Sequence, residues 1–304
     1  MEKITINPED YKEDYIENLN ACFNGWGGAK EYEWGFNRKL GELPSDIMLI
    51  ENDEDGVIAG SAVSYRKLSG KSASFDIGIM TGSWTLPAAR KKGCFTKMIY
   101  CSKDLCKDKN VPFLTAFVTA VNPSSRRLET EGSYMLPTWH LFSPEILFEE
   151  EDGIKAEILH HDDKIYHTIY DTVQERQSEF LNFSYKFEEF VGQYLERIKK
   201  TTVLRILDDF AILEDGANEV KVLLLTYSDK ESLKSNIKAV TDWCLTNKSS
   251  KAFFFSTRLE FKEVCESLDF QIAPGYFTIL RSSDEKIEYE KRFENLNINM
   301  ADKM

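Results

Sequence analysis

Three consecutive cations followed by a glycine, Arg90-Lys91-Lys92-Gly93, are the residues of this 304-residue chain best placed to do chemistry. They stand between a β-prone run at residues 74–86 and a stretch beginning at Cys94. In that stretch Phe95, Met98, Ile99, Leu105 and Cys106 recur at helical spacing. A strand, a short glycine loop and a helix start bring free N–H groups and the positive end of a helix dipole to one place. Acids are favoured there. A cation costs a few tenths to about 1 kcal/mol unless an anion is held beside it. The chain as a whole carries a formal charge of −13, so a basic cluster at this position reads as a cradle for pyrophosphate.

The elements that must position this loop follow from hydrophobic periodicity. Residues 3–6 form a short strand, and Pro8-Glu9 opens a helix carrying Tyr11, Tyr15, Ile16, Leu19 and Phe23. Gly25, Gly27 and Gly28 end it, and residues 31–40 form a second helix with Tyr32, Trp34 and Phe36. Strands at 46–51 and 56–67 make a hairpin around a polar turn ending in Gly56. After the loop and its helix, the apolar run 111–121 reads as a strand buried on both faces. A helix over 123–131 follows, with Asn122 as its N-cap and Pro123 in its first turn, and residues 134–142 close the sheet. The fold class is α/β with a mixed sheet.

These residues carry a resemblance. Pro87 with Arg90-Lys91-Lys92-Gly93 resembles the acyl-CoA signature of the GNAT N-acyltransferase superfamily: Gln or Arg, two residues, Gly, one residue, then Gly or Ala. Phe95 departs from the last position. Asn122-Pro123-Ser124-Ser125, followed by Leu128 and Gly132, resembles the second signature of that superfamily, and the likeness spans residues 4–143. It implies acetyl-CoA as co-substrate, no metal, and a small-molecule amine or peptide as acceptor. Arg90 and the N–H groups of Lys91, Lys92, Gly93, Cys94, Phe95 and Thr96 would hold the pyrophosphate. Ser83, Trp84, Thr85 and Leu86 would lie along the pantetheine arm, with N–H groups of 83–85 as an oxyanion hole. Asn122 and Ser125 are expected at the arm or the loop, and residues 31–40 near the acceptor.

An amine acceptor must lose a proton before it attacks. Asp76 on the central strand is one candidate base. The superfamily usually reprotonates the leaving thiolate with a tyrosine, and at the matching place this chain has Glu129. Tyr134, five residues on, is the alternative acid. Cys94 sits where a helix start lowers a thiol's pKa, but no histidine lies nearby in sequence to pair with it. If the protein lacks the catalytic acid, it is a non-catalytic acyl-CoA-binding or sensing protein of the same fold.

The second half repeats the order of the first. Residues 203–213 and 220–227 read as a hairpin, 230–247 as a helix, 252–256 as a strand, 260–268 as a helix and 271–280 as a last strand. Before them come an acidic stretch at 143–163 and a helix over 179–200. In place of the basic loop stands Tyr227-Ser228-Asp229-Lys230-Glu231-Ser232, with no glycine and two carboxylates that repel phosphate. The expected organisation is two tandem GNAT-like domains: 1–145 with the acyl-CoA site, 146–178 as a connecting segment, and 179–304 as a degenerate copy. That copy stabilises the first, shapes the acceptor site or makes a homodimer. An active copy followed by a silent one also resembles the first two domains of the enhanced-intracellular-survival type acetyltransferases. His160-His161-Asp162-Asp163 reads as a solvated turn, since adjacent residues rarely converge on one metal ion.

Composition bounds the rest. With 42 % hydrophobic residues the chain can fill two ordinary cores. Its negative charge argues against nucleic acid or an anionic membrane as partner and leaves a cationic amine electrostatically comfortable. Six cysteines without a C-x-x-C pair read as reduced thiols of a cytoplasmic protein. The first residues do not form a signal peptide, and no apolar run reaches the roughly 18–20 residues of a membrane span.

Overall fold

The computed structural model describes residues 2–23, 25–38, 40–71, 73–148, 154–283 and 288–303. In the first half β1 (Glu2–Ile6), β2 (Asp46–Asn52), β3 (Gly56–Ser69) and β4 (Ser74–Thr85) pair antiparallel in that order. Between β1 and β2 run α1 (Lys12–Phe23) and α2 (Ala29–Tyr32), the latter continued by a π turn over Glu33–Asn37. A 3-10 turn at Pro87–Ala89 leads to α3 (Cys94–Asp108), then β5 (Phe113–Thr119), α4 (Pro123–Thr130) and β6 (Tyr134–Phe142).

The second half holds β7 (Glu157–Leu159), α5 (Asp163–Arg176), β8 (Asn182–Phe183) and α6 (Phe187–Phe190), which a π turn extends to Leu195. It continues with β9 (Thr201–Ile206), β10 (Asp209–Asp215), β11 (Glu219–Leu225), α7 (Lys230–Lys248), β12 (Lys251–Ser256), α8 (Leu259–Ser267) and β13 (Gln271–Arg281). It ends in α9 (Tyr289–Arg292) and a 3-10 turn over Met300–Lys303. Each half contains an antiparallel meander, a parallel step (β4 with β5, β11 with β12) and an antiparallel last strand. Among the described residues no helix is long and apolar enough to cross a membrane.

The last strands are exchanged. Residues 134–142 read as the closing strand of the first sheet, yet β6 pairs with β12, and it is β13 that pairs with β5. β13 lies between β5 and β6, in register from Gly275↔Thr119 to Arg281↔Phe113 on one side and from Gln271↔Phe142 to Ile279↔Tyr134 on the other. One continuous sheet results, in the order β1-β2-β3-β4-β5-β13-β6-β12-β11-β10-β9-β7. Its core crosses the join: Ile77, Ile79 and Phe113 share a cluster with Phe277, Ile212, Leu223 and Phe255. The opposite face is covered by α3 over one half and by α7 and α8 over the other.

Other differences from the expected elements have local causes. The helix expected over 179–200 shortens to Phe187–Leu195, because Asn182 and Phe183 pair with Ser69 and Leu68 of β3. The strand expected over 203–213 is two strands, folded at Leu207 in a left-handed conformation (φ 55°). The connecting segment 146–178 contains β7 and α5, and α5 buries Tyr166, Ile169 and Val173. Asp162 caps α5 through the Ile165 N–H at 2.8 Å, which gives the His160–Asp163 turn a structural task.

The charged tail after 282 is woven into the core, where Phe293, Leu296, Ile298, Met300 and Ala301 are buried. The carboxylate of Asp302, itself buried, accepts hydrogen bonds from the hydroxyls of Tyr185 (2.8 Å) and Tyr194 (2.6 Å) and from the Asn299 N–H (2.8 Å). Arg66 of β3 donates to the Asp302 carbonyl at 3.0 Å. This clamp ties the C-terminal turn to β3 and to the π turn after α6. Asp302→Ala orphans two buried hydroxyls, each costing about 1–3 kcal/mol. Urea denaturation of the variant is therefore expected to show a lower midpoint with the single cooperative transition retained, as one shared core requires.

Candidate active site

β4 and β5 run parallel but stay together only briefly. They pair at Ile77↔Phe113, Gly78↔Leu114 and Ile79↔Thr115 and then part. From Met80 onward the β5-facing edge of β4 has no strand neighbour among the described residues, while β5 continues its pairing with β13 up to Thr119. The gap opens toward the C-terminal ends of both strands. On its other side β4 is bulged against β3: Thr81 pairs with Ala62 and Trp84 with Gly60, so Gly82 and Ser83 stand opposite Ser61 alone. A bulge leaves its extra residue outside the ladder and re-aims the strand.

Gly82 makes the bulge possible. It lies in the left-handed region (φ 55°), and a Cβ there would sit 2.9 Å from the Phe36 ring. The fully buried Tyr15 backs the bulge, its hydroxyl donating to the Gly82 carbonyl at 3.4 Å. The ring of Tyr15 meets Tyr32, Phe36 and Trp84 edge-on at centroid distances of 5.6–5.9 Å. The aromatic residues of α1, α2 and the following π turn thus hold the bulge from behind.

The open end of the gap meets the start of α3. Gly93 is its N-cap at φ 85°, no side chain caps the helix, and a Cβ on Gly93 would meet no atom within 4 Å. The first N–H groups of a helix have no acceptor inside it. Lys91 and Lys92 are exposed, and among the described residues no carboxylate forms an ion pair with Arg90, Lys91 or Lys92. Arg90 folds back to the Thr85 carbonyl (Nε, 3.4 Å), joining the loop to the end of β4. Open backbone, free cations and unspent N–H groups fit a pyrophosphate. At the matching place in the second half, α7 is capped by its own carboxylate: Asp229 accepts from the Ser232 N–H at 2.8 Å. That helix start is already satisfied.

Against the bulge lies a cavity of about 300 Å³. Trp26, Trp34 and Phe36 form its aromatic wall, and Thr81 and Gly82 line it from β4. Its remaining wall comes from the second half, through Arg197, Glu214 and Lys221, and from Lys303 in the C-terminal turn. Arg197 pairs with Glu214 at 2.7 Å and lies over the Trp34 ring at 4.5 Å. Lys303 Nζ is 2.6 Å from His140 Nε2 and 4.4 Å above the Phe255 ring. Desolvation, reinforced by the charge of Lys221, pulls the Lys303 ammonium down to about 7. Desolvation and Lys303 lower His140 to about 4, leaving a neutral imidazole to accept from Lys303. A second cavity of about 310 Å³, bordered by Ser69, Gly70 and Phe183, lies at the opposite end of β3 and β4 from the bulge.

The residues singled out in the sequence are only partly brought together. Ser83, Trp84 and Thr85 end β4 beside the gap, and Arg90 to Thr96 form the loop and first turn of α3 that follow it. Ser83 Oγ bonds Ser61 Oγ at 2.7 Å, Trp84 is buried in the aromatic cluster, and the Leu86 N–H is taken by the Ile58 carbonyl at 2.9 Å. Cys94 is buried, its thiol near the Ala89 carbonyl (3.8 Å) and its pKa raised by desolvation, which disfavours a thiolate. Asn122 stands beyond the end of β5 and caps α4 through the Ser124 N–H at 2.9 Å; the Ser125 hydroxyl donates to the Asn122 carbonyl at 2.7 Å.

Two of the three acid–base candidates, Asp76 and Tyr134, stand away from the bulge. Asp76 is exposed at the start of β4, opposite Lys67 and six residues before Gly82, about 20 Å along the strand. Tyr134 pairs with Ile279 and stacks on Tyr289 (5.7 Å, 11°), three strand spacings or about 14 Å from β4. Glu129 is exposed on α4. Gly82, Trp26, Lys221 and Lys303 had no sequence signal as site residues. The glycine after an apolar strand run was the one readable hint of a bulge.

Neither a protein-family model nor a curated protein sequence matches the chain. Solved structures do. A probable N-acyltransferase of Enterococcus faecalis superposes with a TM-score of 0.65 at 9 % identity, over 97 % of this chain and 74 % of that one. A tandem GNAT protein from the clavulanic acid biosynthesis pathway gives 0.65 at 8 %, over 94 % and 100 %. Saccharomyces cerevisiae N-myristoyltransferase with bound myristoyl-CoA gives 0.66 at 11 %, over 98 % and 89 %. The chain has the fold of the GNAT acyltransferases.

Two glycine substitutions separate space from backbone strain. Gly93→Ala meets open space and should cost only the left-handed penalty, about 1–2 kcal/mol. Gly82→Ala adds a collision with Phe36, and its loss of stability in urea titrations should exceed that of Gly93→Ala by about 1 kcal/mol or more.

Proposed function

We propose that the protein is an acyl-CoA-dependent N-acyltransferase that moves an acetyl group to a primary amine, with its site in the N-terminal half. The observation that carries this reading is a coincidence of place. Among the described residues, cations without an ion pair at an uncapped helix start, a strand edge without a neighbour and a cavity of small-molecule size occur on β4 and the loop and helix that follow it. The second half lacks an equivalent helix start, since Asp229 fills its own, and we assign it no acyl-CoA. Unpaired cysteines accord with a reducing compartment such as the cytoplasm.

Acyl-CoA, when bound, supplies a thioester carbon open to attack by an amine. Arg90, Lys91, Lys92 and the N–H groups of Gly93 to Thr96 would hold its pyrophosphate. Asn122 and Ser125, at the β5 side of the gap, would border the pantetheine arm. The β4 backbone around Gly82 to Thr85 would offer N–H groups to the negative charge that develops on the carbonyl oxygen, and the rigid aromatic backing fixes their direction beforehand. The cavity beside Thr81 and Gly82 would orient the amine and keep bulk water away.

A second reading is an acyl-CoA-binding or sensing protein without turnover. It is favoured by the distance of Asp76 and Tyr134 from the bulge, because it needs no acid or base there.

Calorimetry with acetyl-CoA tests both readings. The native protein should bind, Gly93→Glu should not, and Arg90→Gln with Lys91→Gln and Lys92→Gln should weaken binding about tenfold or more and flatten its salt dependence. Free thiol released in the presence of amines identifies an enzyme; binding without thiol release identifies a sensor. No binding to a folded native protein contradicts both.

A further inference from the structure

The cavity beside Gly82 contains charge that its own walls do not balance. Arg197 takes the Glu214 carboxylate in an ion pair, and the same Glu214 stands opposite Lys221 in the β10–β11 ladder, so one carboxylate serves two cations. Glu31, engaged with the Gly28 N–H at 2.8 Å, faces Lys199 across the rim. Lys221 of β11 and Lys303 remain, and among the described residues neither has a carboxylate in an ion pair. Both are partly buried, and the charge of Lys221 bears on Lys303. Two like charges brought together in a concave, partly dry site repel, and they do so in a chain with 51 carboxylate residues to draw on.

The fold spends interactions on this placement. Asp302, one residue before Lys303, is locked by Tyr185, Tyr194 and the Asn299 N–H, so the C-terminal turn is not free to withdraw. His140 accepts from Lys303 with a neutral ring and fixes the direction of Nζ without cancelling its charge. Phe255 supports the same group from β12. A lysine that only needed solvent would not be held this way.

We propose that Lys221 and Lys303 form an anion subsite of the acceptor cavity, so that the acceptor is an amine whose other end carries a carboxylate or a phosphate. The aromatic wall of Trp26, Trp34 and Phe36 takes the body between the two ends. This inference rests on the acyltransferase reading, and it adds an anionic group to the cationic amine that the net charge leaves electrostatically comfortable. The negative charge of the whole molecule is a long-range property, and the cavity is set by its own walls.

A pH signature follows from the groups that face Lys303: His140 from β6, Lys221 from β11 and the uncharged Phe255 ring from β12. Glu214, paired with Arg197, stands opposite Lys221 in the β10–β11 ladder, and Glu31 and Lys199 also line the cavity. In the empty cavity Lys303 titrates near 7, and His140, near 4, stays neutral across that range. A bound anion raises the lysine's pKa, so binding takes up protons near pH 7. Affinity should be level below pH 7 and fall as pH rises above it, by up to about tenfold per unit.

The test uses the full chain and matched pairs of amines: phenylalanine against phenethylamine for the carboxylate, and O-phosphoethanolamine against ethanolamine for the phosphate. Binding is measured by calorimetry in buffers of different ionisation enthalpy, and turnover by thiol release with acetyl-CoA. The anionic member of at least one pair should be preferred by about tenfold or more, with proton uptake at pH 7. Lys221→Met and Lys303→Met should each erase the preference and leave acetyl-CoA affinity unchanged, and Lys303→Arg should keep it. Which pair responds tells carboxylate from phosphate. The subsite is overturned if the amines without an anionic group bind equally well, if the preference survives both methionine substitutions, or if no anionic member binds a protein that still binds acetyl-CoA. In that last case the acyltransferase reading stands; if acetyl-CoA also fails to bind, that reading falls as well.

Discussion

The pairing of β13 between β5 and β6 is the constraint on which the rest of the structure depends. The last strand of each half completes the sheet of the other, so neither half has a finished edge alone. An unpaired interior edge exposes a row of backbone donors and acceptors, which is why such an exchange makes the two halves one folding unit. The shared core of Ile77, Phe113, Phe277, Leu223 and Phe255 is the apolar counterpart of the same join. The exchange also brings β11 and the C-terminal turn round to face the bulge of β4. The cavity exists because both halves are present, and the second half supplies the charged part of its wall.

Electrostatics then distinguishes the two helix starts that the repeated topology creates. At α3 a left-handed glycine and three cations leave donors and positive charge unspent. At α7, Asp229 and Ser232 satisfy the same donors internally. A helix start that caps itself gains stability and loses the ability to hold an external anion; one that does not is less stable until an anion arrives. The same economy appears at Lys303, where desolvation and Lys221 make the charged form costly in the empty cavity.

Much of this was legible in the amino-acid sequence, and the part that was not has a physical explanation. The strand, loop and helix around Gly93 follow from apolar period and a glycine, both local signals. Partner choice is not local: β6 and β13 are both apolar runs, and nothing in either says which neighbour it takes. The phenylalanines at 180, 183, 187, 190 and the apolar residues after them keep helical spacing, yet Phe183 is drawn into pairing with β3 by tertiary contact. The fold at Leu207 was hidden because a bulky residue at positive φ gives no warning. Asp76 looked central because its strand is central, but it stands at the start of that strand, six residues before Gly82. Lys303 looked like part of a charged tail until Asp302 was seen to anchor it.

The most direct test of the account is hydrogen–deuterium exchange of the full chain with and without acetyl-CoA. The account predicts slower exchange at the N–H groups of residues 91–97 and along 80–86, with no change at 229–233. Protection at the start of α7, or protection confined to surfaces away from β4 and α3, would contradict it.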